Sequence, residues 1–520
     1  MPTNTQKDNI MVNKIYCATQ DGLNSRIIEV EATFTRGLPT FNITGLASSS
    51  IKESQHRVTS SLTNLGIEFP PLKLNINLSP SDLPKNGSHF DLPIALLVAA
   101  TKESMALDSW FAFGELGLDG AIKNVPLIYP MLLDIALQKP NSKVILPIEA
   151  QELYTKIPKL CMYFASNILE AIEILKGNVS ETATSSDFAF QSLVIDDTPF
   201  YYDSTFELDF SDVKNQERAV RAALIAACGF HNILFEGSPG CGKSMIAKRM
   251  QYILPPLSLK EMIESVKLQS YNEQTLTYKP RRNFRAPHQS ASKASVLGSA
   301  SQFKVSPGEI ALANNGIIFF DELPYFKRDI LESLREPLEN NQLAVSRVHS
   351  KIIYDTSFLF VGAMNPCPCG NLLSTTKECR CKASEIRSYR NHLSEPFLDR
   401  IELYVQMQEH IPTQKQTQIM TSKDMQQIVF HVFKQQIQRG QMDNLGNIIF
   451  NGKLQPMQVE QYCKLDLECK NLLEQAKTRF QLSYRGEQKI RKVARTLADM
   501  QSSPMIQKEH ILEALSYRKV

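Results

Sequence analysis

Eight consecutive residues, Gly237-Ser238-Pro239-Gly240-Cys241-Gly242-Lys243-Ser244, carry the most specific chemistry in this 520-residue chain. Glycines at these positions let backbone N–H groups close around phosphate oxygens. Lys243 can neutralise β- and γ-phosphates, and Ser244 can ligate Mg²⁺. The apolar run Ile233-Leu234-Phe235 precedes the turn, and Met245 to Met250 continues as a helix whose N-terminus favours anions. A second run, Ile317-Ile318-Phe319-Phe320-Asp321-Glu322, reads as a buried parallel strand ending in two acids. Acids at that end meet a nucleotide in the crevice outside the sheet. Asp321 would then hold Mg²⁺ through water, and Glu322 would polarise the attacking water. The two runs together predict ATP hydrolysis with ATP and Mg²⁺ as cofactors.

Ten cysteines occur, four of them clustered as Cys367-Pro-Cys369 and Cys379-Arg-Cys381. Two such pairs supply four thiolates, enough for a tetrahedral Zn²⁺, although the spacing is tighter than the common Cys-x-x-Cys. Reduced loop cysteines are the other reading. Cys241 lies inside the phosphate loop, and none of the remaining cysteines reads as catalytic.

These motifs need a scaffold of about three domains at this length. Hydrophobic content of 43% and charged content of 21% fit a globular protein. The longest apolar run, near Leu92 to Ala100, is core-sized, and residues 1–7 lack an apolar signal core. The reading is cytoplasmic, without a membrane partner. Net charge is only +3, so any nucleic-acid contact must be focal.

In chain order, residues 1–10 read as a polar, disordered leader, with Met11 as an alternative start. Residues 11–176 read as an α+β domain. Alternating strands (Leu72 to Leu78 is the cleanest) accompany a helix from Ser50 to Leu65 with Val58, Leu62 and Leu65 on one face. Phe90 to Ala100 reads as a buried helix, and Phe111 to Leu118 and Lys143 to Leu146 as further strands. Residues 177–208 read as a polar linker, with a possible strand at Phe188 to Val194, and residues 209–410 as the ATPase core. Residues 411–520 read as a helical lid, with helices at Lys423 to Arg439, Val459 to Phe480, Gly486 to Met500 and Gln507 to Tyr517. Lys279, Arg281, Arg282 and Arg285 form a basic run beside Phe284, suited to a phosphate backbone; it reads equally as a solvated loop or a subunit interface.

Two resemblances follow from the motifs. Leu83-Pro84-Lys85-Asn86-Gly87-Ser88-His89-Phe90-Asp91, followed by Gly114-Glu115-Leu116-Gly117-Leu118-Asp119-Gly120, is similar to the Lon-protease-type domain, a ribosomal S5 domain 2-like fold. Lon proteases use a Ser–Lys dyad, whereas the matched positions here are His89 and Tyr129, so the resemblance implies a non-proteolytic copy. Asp82-Leu83-Pro84-Lys85, Phe284-Arg285-Ala286-Pro287-His288, Pro307-Gly308-Glu309-Ile310, Asp321-Glu322-Leu323-Pro324 and Ala363-Met364-Asn365-Pro366-Cys367-Pro368-Cys369-Gly370 resemble the YifB/ComM family of magnesium-chelatase-like AAA+ ATPases. This chain has His288-Gln289 where family members often carry His-His, and only Gly298-Ser299 for the usual glycine-rich run.

The family resemblance implies a multidomain α/β protein with an AAA+ P-loop core and a helical lid. It implies that Asn365 is sensor 1, that Arg400 in Leu398-Asp399-Arg400-Ile401 is an arginine finger reaching a neighbouring subunit, and that Arg485 is the sensor 2 arginine. A trans-acting arginine implies a ring, a homohexamer in this family. The segment Asn340 to Lys351 reads as a hairpin directed into the pore. Arg347 and Lys351 on it, with Arg285, His288 and Lys293 in the neighbouring loop, are candidates for DNA contact. The implied activity is a DNA helicase that drives branch migration in natural transformation and recombination, on single- and double-stranded branched DNA. A chelatase-type motor acting on a protein or on porphyrin metallation is the alternative; magnesium chelatase needs partner subunits and lacks the first domain. A non-enzymatic DNA scaffold is opposed by the presence of Lys243, Asp321 and Glu322.

Overall fold

The computed structural model describes residues 12–101, 105–179, 183–184, 190–272, 276, 278–300, 305–346, 351–409, 420–443 and 446–518. The expected leader, Arg347, the side chain of Lys351 and part of the expected linker lie outside the described residues. The chain divides into two units, residues 1–189 and 190–520.

The first unit is built on one mixed eight-stranded sheet. Its order is Ala183–Thr184, Leu160–Ala165, Ser142–Pro147, Trp110–Ala112, Val12–Asp21, Asn24–Thr35, Lys73–Ser79, Thr40–Thr44. The alternation read from Leu72 to Leu78 is a strand with Leu74, Ile76 and Leu78 buried. The helix Ser49–Asn64 buries Ile51, Val58 and Leu62 as its spacing requires, and Asp91–Ala99 is buried on every face. The expected strand Phe111 to Leu118 is broken. Gly114 N–H donates to His89 O at 3.1 Å, which turns the chain out of the sheet, and Glu115–Leu116 pairs separately with Ile122–Lys123.

His89 is fully buried, with Nε2 2.9 Å from Ala18 O, and burial pushes its pKa down to about 4, so the ring is neutral at pH 7. Tyr129 stacks on Tyr154 in the core. The Lys85 ammonium donates to Pro80 O and the Ser88 hydroxyl to Glu115, so these neighbours form no Ser–Lys pair.

The second unit centres on a parallel five-stranded sheet, in the order Phe284–Arg285, Ile317–Phe320, Leu359–Met364, Ile233–Glu236, Leu403–Gln406. The three inner strands are wholly buried, which is why they read as unbroken apolar runs. The second half of the expected linker is not a linker. Gln191–Ile195 and Thr198–Tyr202 form a hairpin; Tyr201 and Leu257 exchange backbone bonds of 2.7 and 2.8 Å, and Phe200 packs edge-on against Phe433 with centroids 5.2 Å apart. The first of these strands overlaps the one suggested at Phe188 to Val194, and the second is the part that the polar reading of the segment missed. The helical end contains Ser422–Gln438, Pro456–Tyr462, Leu467–Phe480, Tyr484–Met500 and Lys508–Ser516. The expected helix Val459 to Phe480 is two helices, because Asp466 caps a new N-terminus by accepting from Cys469 N–H at 2.7 Å. Among the described residues no helix is long and apolar enough to cross a membrane.

Asp91, at the start of the buried helix, accepts from Arg57 Nε at 2.6 Å and Nη2 at 3.0 Å, and from Leu116 N–H at 3.2 Å. Removing the carboxylate leaves a partly buried guanidinium without its partner. Asp91→Ala is expected to destabilise this unit by about 3 kcal/mol, measured by urea unfolding. A shift under roughly 0.5 kcal/mol, the range of ordinary surface substitutions, would contradict it.

Candidate nucleotide-binding site

The phosphate loop starts where the strand Ile233–Glu236 ends. Gly237 N–H donates to Met364 O at 3.2 Å, which ties the loop to the end of the adjacent strand Leu359–Met364. Gly240 and Gly242 have φ of +83° and +95°, values that side chains rarely adopt. Nothing lies within 4 Å of a Cβ built on Gly240, so the loop keeps an open concave face. Gln216, a residue that sequence reading passed over, sits behind the loop and donates to Cys241 O at 3.2 Å and Gln408 O at 2.7 Å.

Lys243 is buried, and its ammonium donates to Gly237 O at 2.5 Å, Ser238 O at 3.0 Å and Asn365 Oδ1 at 3.1 Å. Burial lowers its pKa, while Cys241, Asp321 and Glu322 pull the other way. Ser244 Oγ donates to Asp321 Oδ2 at 2.7 Å. Glu322 follows in left-handed backbone at φ 51°, its N–H donating to Asp321 Oδ1 at 2.9 Å. A hydroxyl and a carboxylate side by side are the oxygen ligands Mg²⁺ takes beside phosphate. The residues present therefore fit Mg²⁺ and a nucleoside triphosphate. Lys243, Ser244, Asp321, Glu322 and Asn365 follow three strand ends, where hydrogen bonds join Lys243 to Asn365 and Ser244 to Asp321.

Arg400 and Arg485 do not join that cluster. Both guanidinium groups donate to Glu339, and Arg400 Nε also donates to Arg335 O at 3.1 Å. Arg400 O accepts from Asn232 Nδ2 at 3.0 Å. Asn232 immediately precedes the strand Ile233–Glu236, so this cluster lies at the end of the sheet opposite the phosphate loop. Five residue steps, from Asn232 to Gly237 along that strand, separate the two ends by roughly 16 Å. Lys489 is held there too, 3.1 Å from Asp399 Oδ1, and the half-buried Lys492 and Lys453 interact with Glu402.

The basic run is not a free phosphate contact. Arg281 pairs with Asp203 at 2.7 Å, Arg282 with Glu261 at 2.9 Å, and Arg285 grips Glu309 through two bonds of 2.6 and 2.8 Å. Arg491 and Arg495, on the helix Tyr484–Met500, are likewise tied to Glu460 and Asp499. His288 is exposed, with Nδ1 2.7 Å from Ser290 Oγ, and Lys293 is about half exposed, 3.9 Å from Asp329. The expected hairpin is present as Gln342–Ser346 paired with Lys351–Asp355. It lies beside a second hairpin, Gly298–Ala300 with Val305–Pro307. Near the phosphate loop, the four clustered cysteine sulfurs all lie within 4.8 Å of one another.

The sequence matches three family models: magnesium chelatase subunit ChlI over residues 209–416, subunit ChlI of Mg-chelatase over 30–150, and the ChlI C-terminal region over 419–518. It is 34% identical to competence protein ComM of Haemophilus influenzae over 511 residues, covering 97% of each chain. It is 35% identical over 508 residues to YifB of Salmonella typhimurium and of Escherichia coli, covering 96% of this chain and 95% of each relative.

Two substitutions separate binding from hydrolysis. Lys243→Ala is expected to abolish ATP turnover and to weaken nucleotide binding. Glu322→Gln should retain binding while turnover falls by about 10²–10⁴-fold, the range for losing a positioned general base. Phosphate release and binding of a fluorescent ATP analogue read the two effects, and a Glu322→Gln protein with wild-type turnover would remove Glu322 from the chemistry.

Proposed function

The chain belongs to the ComM/YifB family of magnesium-chelatase-like AAA+ ATPases, and from that premise we propose that it is a ring-forming motor that uses ATP to move DNA. The proposed task is branch migration during integration of incoming DNA in natural transformation and recombination; the name of one relative, competence protein ComM, supports the link to competence. The observation that carries the reading is the separation of the two charged clusters. Lys243, Asp321 and Asn365 lie at the carboxyl ends of the strands, and Arg400 and Arg485 at the opposite end. One chain thus contributes two incomplete halves, and a head-to-tail neighbour completes each. Such an interface repeats until it closes as a ring, which we take to be a homohexamer.

In the assembled site, Lys243 exchanges its carbonyl partners for phosphate oxygens. Ser244 and Asp321 hold Mg²⁺, which when bound neutralises charge on the β- and γ-phosphates. Glu322 accepts a proton from the attacking water, and Asn365 orients that water. Arg400 and Arg485 leave Glu339 of their own chain to stabilise charge on the neighbour's γ-phosphate. The paired hairpins, Gln342–Ser346 with Lys351–Asp355 and Gly298–Ala300 with Val305–Pro307, face the DNA in this reading. Lys351 on the first, and Lys293 and His288 before the second, supply the contacts in this reading; Arg347, a further candidate from the sequence, lies outside the described residues. Arg285 is better placed as a structural partner of Glu309. The first unit serves as a non-proteolytic platform.

Arginines acting in trans give a complementation test. Lys243→Ala and Arg400→Ala are each expected to be inactive alone; loss of a trans arginine costs about 10³-fold or more. Mixed subunits should regain turnover, because an intact phosphate loop then meets an intact arginine. Failure of assembled mixtures to recover would place Arg400 in its own chain's site. Single-stranded DNA should raise the wild-type ATPase rate, and four-way junctions should be resolved only with hydrolysable ATP. Robust turnover indifferent to DNA would favour a motor that remodels a protein partner.

A further inference from the structure

We propose that Cys367, Cys369, Cys379 and Cys381 bind one Zn²⁺ as thiolates, and that this metal loop is a positioning element that holds the phosphate loop in its receiving shape. The proposal rests on the nucleotide reading of that loop. Three sulfur pairs lie 3.4, 3.7 and 3.6 Å apart, Cys367–Cys369, Cys367–Cys379 and Cys369–Cys379. A disulfide requires about 2.05 Å, whereas four thiolates each about 2.3 Å from a tetrahedral Zn²⁺ stand about 3.8 Å apart. The geometry is that of a metal cage, and every cysteine among them is free.

The segment also needs a cross-link. From Asn371 to Lys382 no side chain is buried, so no apolar core anchors this stretch. A loop without buried side chains does not hold one shape by packing. Four thiolate bonds to one ion supply that constraint, each thiol releasing its proton on binding.

The loop's contacts say what its shape is for. Gly370, at φ +80°, presses on the ring of Pro239; a Cβ there would stand 2.5 Å from Pro239 Cδ. Gly370 is set by its own N–H, which donates to Cys367 O at 3.0 Å. Cys367 is buried two residues beyond Asn365, the partner of Lys243. Arg390 spans from Pro366 O at 3.4 Å to Glu236 at 3.1 Å, the residue just before Gly237. On the far side, Glu409 accepts from Thr375 N–H at 3.0 Å and Thr376 Oγ1 at 3.2 Å. The cysteine loop is thereby fastened to the phosphate loop at Pro239, to its strand at Glu236 and to the lysine partner at Asn365.

The test uses the full chain as purified. Metal analysis is expected to find one equivalent of zinc, and Co²⁺ taken up in its place should give thiolate-to-cobalt charge-transfer absorption. Stripping the zinc should weaken binding of a fluorescent ATP analogue by about tenfold, the lower end for losing a supporting partner, and added Zn²⁺ should restore it. Gly370→Ala should keep the zinc, because it removes no thiolate, and still lose nucleotide affinity, because it strains the φ +80° turn and crowds its seat on Pro239. Protein that neither carries zinc nor takes up Zn²⁺ or Co²⁺ would overturn the metal site. Stripped protein, or a Gly370→Ala protein, that binds nucleotide as the untreated wild type does would overturn the positioning role. A zinc-loaded wild type that binds no nucleotide would overturn the nucleotide reading, and this proposal with it.

Discussion

A buried ammonium group sets the terms for the second unit. Lys243 is removed from water, and an unpaired charge in that position would be costly. Three acceptors from two chain segments hold it: the carbonyls of Gly237 and Ser238, and the amide oxygen of Asn365. The carbonyls belong to the loop itself, so the lysine helps to define the loop that presents it. The Asn365 bond reaches the strand Leu359–Met364, whose end also accepts from Gly237 N–H. Loop, strand and lysine form one mechanical unit before any ligand arrives. A phosphate entering the open face of Gly240 meets a donor already desolvated and aimed.

The sheet that makes this possible also limits it. Parallel strands put all their carboxyl ends on one side, so groups carried at the amino ends cannot reach the same phosphate. Asn232 marks that other end: its side chain accepts from Phe360 N–H and donates to Arg400 O, and its own N–H donates to Glu402. Around it gather Arg400, Arg485, Lys453, Lys489 and Lys492, balanced by Glu339, Asp399 and Glu402. A cationic cluster of this kind needs an anion to face. Within the chain that anion is Glu339; in a ring it would be the next subunit's nucleotide. In the proposed ring Glu339 would be a stand-in, holding both arginines until a neighbour's nucleotide replaced it.

What the sequence made legible was local. The phosphate loop is read from eight adjacent residues, the acidic strand end from six, and the cysteine cluster from two short pairs. Their chemistry depends on spacing along the chain, and the fold brings them together as expected. Residues whose role depends on distant partners could not be read this way. Arg281, Arg282 and Arg285 look like a basic patch until Asp203, Glu261 and Glu309 are placed beside them. Gly370 reads as a turn residue; its seat on Pro239 joins positions 131 residues apart and has no signature in either segment. Gln216 lies before the motif it supports and matches no pattern of its own. The first strand of the hairpin, Gln191–Ile195, overlaps the strand suggested at Phe188 to Val194; the second, Thr198–Tyr202, is not read from the sequence because it follows the polar turn Asp196-Asp197.

The pairing of so many arginines bears on how this chain would hold DNA. A net charge of +3 spread over 520 residues gives little attraction at long range, and the obvious basic runs are neutralised within the fold. Cations tied to carboxylates release few counterions when a phosphate approaches, so they add little to affinity. In the proposed reading the side chains offered to DNA include His288 and Lys293 before the second hairpin and Lys351 on the first, a small set on each subunit. A grip that weak per subunit becomes strong only when several subunits engage one strand, because linked contacts multiply rather than add. The charge distribution and the divided nucleotide site thus lead to the same requirement. In the proposed ring a neighbour would complete each nucleotide site and several subunits would share one strand, so the ring would couple hydrolysis to the grip on DNA by construction.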